Sequence, residues 1–197
     1  MKEKRRYRLG RRAEQQAETR RRIVESAVEL HSTLGPAATT LSAIAKRAGV
    51  QRHTLYAHFP DEITLFTACS AHWQAQHPFP DEALWAEIGD PRGRLRRALE
   101  EIYGWYEANE EALTLFARDG YLFPPWRAAG EERLRRIASG LARGLPRRRA
   151  VRAAVGHALD FSTWRSLARG QGLGKHAATD LMVRLVFTAG AGDDTAP

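Results

Sequence analysis

A short run of polar side chains near residue 55 is the part of the sequence best suited to contacting another molecule. Only Leu55 and Ala57 interrupt it. The polar members are Gln51, Arg52, His53, Thr54, Tyr56 and His58. Arginine can bond both acceptors on a guanine edge, histidine can donate to either, and hydroxyl groups bond phosphate oxygens. Such a set is typical of a surface that contacts duplex DNA.

Two short helices and a tight turn are predicted to position this run. Thr40 is a suitable N-cap for a helix over 41–48, and Gly49 can adopt the positive φ that the turn requires. A third helix is predicted over 51–58, and Asp61 caps a fourth. The apolar residues expected in the shared core are Ile44, Val50, Leu55 and Phe59. This arrangement is a helix-turn-helix.

The predicted DNA contacts divide by helix position. Arg52 and His53 lie on the first turn of the third helix, where such a helix meets base edges. Phosphate contacts are expected from Thr54, Tyr56 and His58, and from Thr40 ahead of the second helix. The alternative is that Tyr56 and His58 only pack against the first and fourth helices. The full predicted DNA-binding set is Thr39, Thr40, Gln51, Arg52, His53, Thr54, Tyr56 and His58.

Charge is segregated along the chain. Residues 1–60 contain 13 Lys/Arg and 5 Asp/Glu, whereas residues 61–197 contain 18 of each. The whole formal charge of +8 therefore lies in the first third. This distribution is typical of a phosphate-binding module. The charge distribution alone is also compatible with two alternatives, a solubilising basic face and contact with a membrane surface.

The residues from about Thr19 to Phe66 resemble the N-terminal domain of the TetR (tetracycline repressor) family. The resemblance depends on Thr39-Thr40, Ile44-Ala45, Ala48-Gly49-Val50 and the run from Thr54 to Pro60. It implies an all-α fold, with a three-helix helix-turn-helix DNA-binding domain followed by a helical ligand-binding and dimerisation domain. It also implies a homodimer that represses transcription from a palindromic operator until a small molecule releases it.

Three positions depart from the family pattern. Gln51 replaces a common serine cap, His53 replaces a small residue or proline, and Glu62 replaces a lysine that is normally near phosphate. The basic segment 1–12 is expected to be a disordered arm. It either enters a minor groove in place of the lost lysine contact or adds nonspecific attraction only.

The rest of the chain is predicted to be helical. Helices over 147–169 and 174–188 carry apolar residues at helical spacing, so they can form half of a four-helix bundle across a twofold axis. The dimer contacts predicted from this spacing and from the resemblance are Val151, Val155, Leu159, Leu181, Met182 and Leu185. The alternative is that both stripes pack only within one chain.

Aromatic residues are frequent in this C-terminal part, which favours a pocket for an apolar or aromatic effector. The predicted lining is Trp105, Tyr106, Phe116, Phe123, Trp126, His157, Asp160, Phe161 and Trp164. The alternative is that these side chains simply form the core.

Other classes of function have little support. Cys69 is the one cysteine, so no internal disulfide is expected and a cytoplasmic location is favoured. No metal-ligand spacing, cofactor loop, catalytic set or membrane-length apolar run is evident. A nonspecific DNA-coating protein and an enzyme with an aromatic pocket remain alternatives to a regulator.

The predicted organisation has five parts. Residues 1–12 form the arm, 13–60 the DNA-binding domain, 61–77 a connecting helix, 78–189 the C-terminal domain and 190–197 a disordered tail.

Overall fold

The structure, a computed structural model, describes residues 2–191, with side chains from Gly10 onward. Within that range every regular element is helical and no strand is present, which confirms the all-α prediction. The helices are α1 (Lys2–Thr33), α2 (Leu41–Arg47), α3 (Arg52–His58), α4 (Glu62–Gln76), α5 (Glu82–Ala86), α6 (Pro91–Ala108), α7 (Glu110–Asp119), α8 (Pro124–Leu141), α9 (Arg149–Leu159), α10 (Phe161–Arg165) and α11 (Lys175–Ala191). Two 3₁₀ turns, at Pro36–Ala38 and Gly120–Leu122, and a π turn at Ser166–Gly170 complete the order.

The chain divides into two compact units. The first contains residues 1–78 and 111–126, and the second contains residues 79–110 and 127–197. In the first unit, α1 packs on α2 and α4 around a core that includes Ile23, Leu55 and Phe59. In the second unit, α6, α9 and α11 pack together around buried Leu99, Val155 and Val183 among others.

Local chemistry explains where several helices begin. Thr40, Asp61 and Asp90 each accept a backbone N–H at the start of α2, α4 and α6, as good N-caps do. Gly49 has a φ of 65°, which ends α2 and permits the turn into α3.

The structure differs from the sequence predictions in four places. Residues 2–12 are the first turns of α1 instead of an irregular arm, because this segment is rich in helix-forming Lys, Arg and Glu and contains no proline. Asp160, with extended backbone, divides the helix predicted over 147–169 and caps α10. The short helix α5 was not predicted. Residues 111–126 belong to the first unit, although the predicted C-terminal domain included them.

The predicted tail, 190–197, is only partly described. Gly190 and Ala191 end α11, and residues 192–197 lie outside the described residues. No helix in the described chain is long and apolar enough to cross a membrane.

Candidate nucleic-acid interface

The α2–turn–α3 segment is held together by its own backbone and a small core. The Thr40 hydroxyl oxygen accepts the Ala43 N–H at 3.1 Å. Across the turn, the Val50 N–H donates to the Ala45 carbonyl at 3.0 Å. Ile44, Leu55 and Phe59 are at most 1% exposed, and Val50 is partly buried against them. The predicted core and turn of the helix-turn-helix are therefore confirmed.

The outer face of α3 carries the predicted polar side chains. Gln51, Arg52 and His53 are exposed, and Thr54 and His58 are half-buried. Tyr56 is 39% exposed, so this aromatic ring is not part of the core. Gln51 makes no side-chain cap bond to α3, consistent with its weakness as an N-cap.

Arg52 and Tyr56 form a pair one helical turn apart. The Arg52 Nη2 donates to the Tyr56 hydroxyl oxygen at 3.2 Å, and the guanidinium carbon lies 5.6 Å from the ring centroid. This contact restricts the arginine on the exposed face. A restricted side chain loses less conformational entropy when it binds a partner.

The two threonines ahead of α2 are placed differently. The Thr39 hydroxyl donates to the Gly35 carbonyl at 2.8 Å, so its proton is used within the turn. Thr40 is exposed and uses its oxygen as an acceptor, which leaves its hydroxyl proton free to donate. Of the two, Thr40 is the better phosphate donor.

Sequence reasoning missed Arg20 of α1. Its guanidinium carbon lies 4.1 Å from the Phe59 ring centroid, and its Nη1 donates to the His58 carbonyl at 3.1 Å. The arginine thus bonds a free carbonyl at the C-terminal end of α3, where positive charge is favourable. No local pattern could reveal a contact across 38 residues. Arg20 positions α3 against α1.

A second unpredicted contact fixes the turn before α2. Asp119 is 2% exposed, and its Oδ2 accepts the Ala37 N–H at 3.0 Å. Arg118 donates to both carboxylate oxygens and to the Leu34 carbonyl. The guanidinium and these hydrogen bonds hold the pKa of Asp119 below its usual value. Gly35, with φ of 90°, leaves room for the pair.

Internal ion pairs use some of the positive charge of the first unit. Arg21 pairs with Glu18 and Glu25 along α1, and Arg47 of α2 pairs with Glu29. Lys46 and Arg52 form no ion pair with any carboxylate of the described chain. These two exposed cations are therefore available to meet phosphate or a base.

Two titratable groups are buried behind this surface. The His31 Nδ1 lies 3.3 Å from the Cys69 Sγ, and the His31 ring stacks obliquely on Phe66. Burial lowers the pKa of His31 to about 4 and raises the pKa of Cys69 to about 12. The pair is therefore uncharged at neutral pH and forms part of the core.

The predicted ligand-binding residues are divided between the two units. Phe116, Phe123 and Trp126 belong to the first unit, where Phe66 contacts Phe123 and Trp126, and Phe116 contacts Trp126. The other six belong to the second unit: Trp105, Tyr106, His157, Asp160, Phe161 and Trp164.

Several polar groups in the second set already have partners. The Tyr106 hydroxyl donates to the Leu159 carbonyl at 2.6 Å, and its buried position raises its pKa. Asp160 caps α10, and His157 Nδ1 lies 3.1 Å from the Thr163 hydroxyl. These contacts use the Tyr106 hydroxyl proton, one Asp160 oxygen and the His157 Nδ1 within the unit.

The predicted dimer residues are mostly internal. Val151, Val155, Leu159 and Met182 are at most 5% exposed within the single chain, because α9 and α11 pack on each other and on α6. These four side chains are therefore packed within the single chain, and their contact with a partner stays a prediction. Leu181 is half-buried, and Leu185 is 42% exposed.

Comparison with known proteins agrees with the helix-turn-helix. Residues 23–69 match the family described as bacterial regulatory proteins, tetR family. Through these residues the chain is similar to the TetR family. Over 60 residues it is 43% identical to the HTH-type transcriptional regulator AcrR of Shigella flexneri, covering 30% of this chain and 28% of that protein.

Two further proteins extend the comparison. Over 91 residues the chain is 34% identical to the HTH-type transcriptional regulator TtgR of Pseudomonas putida, covering 46% of this chain and 43% of TtgR. The matched part is thus less than half the length of either curated relative. A TetR-like transcriptional regulator from Rhodococcus sp. RHA1 has the same fold, with a TM-score of 0.63, 23% identity, and coverage of 89% of this chain and 97% of that one.

Proposed function

We propose that this protein is a cytoplasmic transcriptional repressor that binds a palindromic operator as a homodimer and is released by a small molecule. The observation that supports this best is the outer face of α3, where Arg52, His53 and Tyr56 are exposed on a helix fixed by Arg20 and a buried core. Exposed polar groups on a rigid helix are suited to the major groove.

Two arguments support the homodimer: a palindromic operator has two half-sites, and α11 carries apolar side chains that are not fully buried. Two α3 helices must meet half-sites about 34–36 Å apart on a palindrome. On α11, Leu185 is 42% exposed and Leu181 half-buried, and these apolar side chains would be covered by a second copy. Neither is among the buried core residues of the described chain.

Selection of bound sequences from a random DNA pool tests the proposal. A specific regulator enriches a partial palindrome, with one half-site for each α3. Failure to enrich any sequence would instead favour a protein that coats DNA by neutralising phosphate.

A single substitution then tests whether α3 contacts the bases of the operator. Arg52→Ala should weaken binding to the selected operator by about 1–3 kcal/mol and change binding to random DNA much less. Arg135→Ala is the charge-matched control, because Arg135 is an exposed arginine of the second unit. Equal losses on operator and random DNA would contradict a base contact by Arg52.

The proposed effector is apolar or aromatic and binds in the second unit. The aromatic faces of Trp105, Tyr106, Phe161 and Trp164 cluster there, with ring centroids 5.3–5.9 Å apart for neighbouring pairs. Screening small aromatic compounds for operator release, followed by mapping of the operator in the source genome, would test this part.

A further inference from the structure

A small cavity in the second unit has an unusual lining. It measures about 170 Å³ and lies between α5, the start of α6 and the end of α8. A cavity of about 150 Å³ with apolar walls is large enough for benzene. This one is therefore suited to a ligand with a single small ring.

The apolar wall of the cavity is formed by Trp85, Ile137 and Leu141, each at most 2% exposed. The Trp85 indole N–H already donates to Glu101 at 2.7 Å. Trp85 therefore contributes ring surface to the cavity and has no donor left for a ligand.

Arg94 supplies a buried positive charge to the same cavity. It is 7% exposed, and its two terminal nitrogens donate to the carbonyls of Ile88 and Arg143. Its Nε has no hydrogen-bond partner, and no carboxylate in the described residues forms an ion pair with it. A guanidinium has five N–H groups, so several remain unused. A buried charge with no counter-ion is costly.

The remaining charged lining is also mostly positive. Arg136 and Arg143 line the cavity together with Glu82, whose carboxylate lies 3.3 Å from Arg136. Three arginines against one glutamate leave two excess positive charges around the cavity. The field in the cavity therefore favours an anion.

We propose that this cavity binds a small monocarboxylate with one apolar ring. The carboxylate pairs with Arg94, and the ring packs against Trp85, Ile137 and Leu141. An inorganic anion would leave the apolar wall without a partner, and a neutral ring would leave Arg94 without a counter-ion. None of the cavity-lining residues belongs to the aromatic cluster proposed above for the effector, so this is a second ligand site. The inference relies on the proposed function only for an effect of the ligand on DNA binding.

The test measures binding to the full-length protein without DNA, by isothermal titration calorimetry. Benzoate is the probe, with benzyl alcohol as its neutral counterpart and inorganic phosphate as the anion without a ring. Benzoate should bind saturably at one site per chain, and the other two should bind at least about tenfold more weakly. The proposal would be overturned if benzoate showed no saturable binding, or if benzyl alcohol or phosphate bound as tightly as benzoate.

Two glycines of α8 provide a matched pair of variants. Gly140 lines the cavity and Gly130 does not, and a Cβ added at either meets no atom within 4 Å. Leucine favours a helix over glycine, so both variants should fold. Gly140→Leu should abolish benzoate binding by filling the cavity, and Gly130→Leu should retain it. Unchanged binding in Gly140→Leu would contradict this location.

Operator binding separates this inference from the proposed function. If the protein binds benzoate but selects no DNA sequence, the ligand site is supported and the regulatory function is contradicted. If the protein selects an operator but does not bind benzoate, the regulatory function is supported and the ligand site is contradicted.

Discussion

The outer face of α3 and the apolar faces of α9 and α11 were both predicted from the sequence to contact a partner. The first is exposed, whereas most of the residues predicted on the second are buried within the chain. On α3, Arg52 and His53 are open to solvent. On α9 and α11, Val155 and Met182 are at most 5% exposed. Polar residues on a helix can seldom be buried without partners, whereas an apolar stripe fits an intrachain core as well as an interface. Polar patterns therefore locate a surface more securely than apolar ones.

The strongest test of this contrast uses two leucines of the predicted dimer set. Leu159→Ala should lower the free energy of unfolding by about 3 kcal/mol, because it leaves a cavity in the core. Leu185→Ala, at a side chain 42% exposed, should lower it by under about 1 kcal/mol. Urea unfolding at several protein concentrations measures both. If the loss of stability in Leu159→Ala disappeared at low protein concentration, Leu159 would instead lie at an interface between chains.

Acid should destabilise the first unit through His31. The unfolded histidine has a pKa near 6.5, and burial lowers the folded pKa to about 4. The unfolded state therefore takes up the proton first, and stability is lost as the pH falls from about 6.5 towards 4. The loss from this group reaches at most about 3 kcal/mol.

Urea unfolding between pH 7 and 4.5 measures this loss, with His31→Gln as the comparison variant. The variant should start less stable and show a shallower pH dependence. The same slope in both proteins would show that other groups cause the acid sensitivity.

Loss of the hydrogen bond between Asp119 and the Ala37 N–H should have the next largest effect on stability. Asp119→Ala leaves the Ala37 N–H without its acceptor and should lower stability by about 2 kcal/mol. Because Asp119 fixes the turn before α2, the variant should also weaken operator binding at temperatures where it remains folded. Asp180→Ala, which removes a half-buried carboxylate of the second unit, is the control. Normal operator affinity in a folded Asp119→Ala protein would contradict the positioning role.

The smallest expected effect concerns a buried hydroxyl. Tyr106→Phe removes the hydrogen bond to the Leu159 carbonyl and should cost about 1 kcal/mol of stability. Tyr121→Phe, at a side chain 64% exposed, should change stability little. If Tyr106→Phe changes only effector affinity and not stability, the tyrosine belongs to the ligand site and not to the core.

Short-range chemistry in the sequence was sufficient to predict much of the first unit. The Thr40 cap, the Gly49 turn and the exposed α3 face each depend on residues a few positions apart. The contacts of Arg20 with Phe59 and of Asp119 with Ala37 join residues 39 and 82 positions apart, so no local pattern contains them. The break at Asp160 was missed because its neighbours continue the helical spacing of apolar residues, while the aspartate cap interrupts the backbone.

The first unit is built from two separated stretches of the sequence, 1–78 and 111–126. A chimera that joined only the first stretch to another protein would lack Asp119 and would uncover Phe66, which packs on Phe123 and Trp126. Exchange of DNA specificity between regulators of this kind should therefore succeed by grafting α3 residues, or by transferring both stretches together. Recombination at a single point near residue 78 should yield an insoluble product.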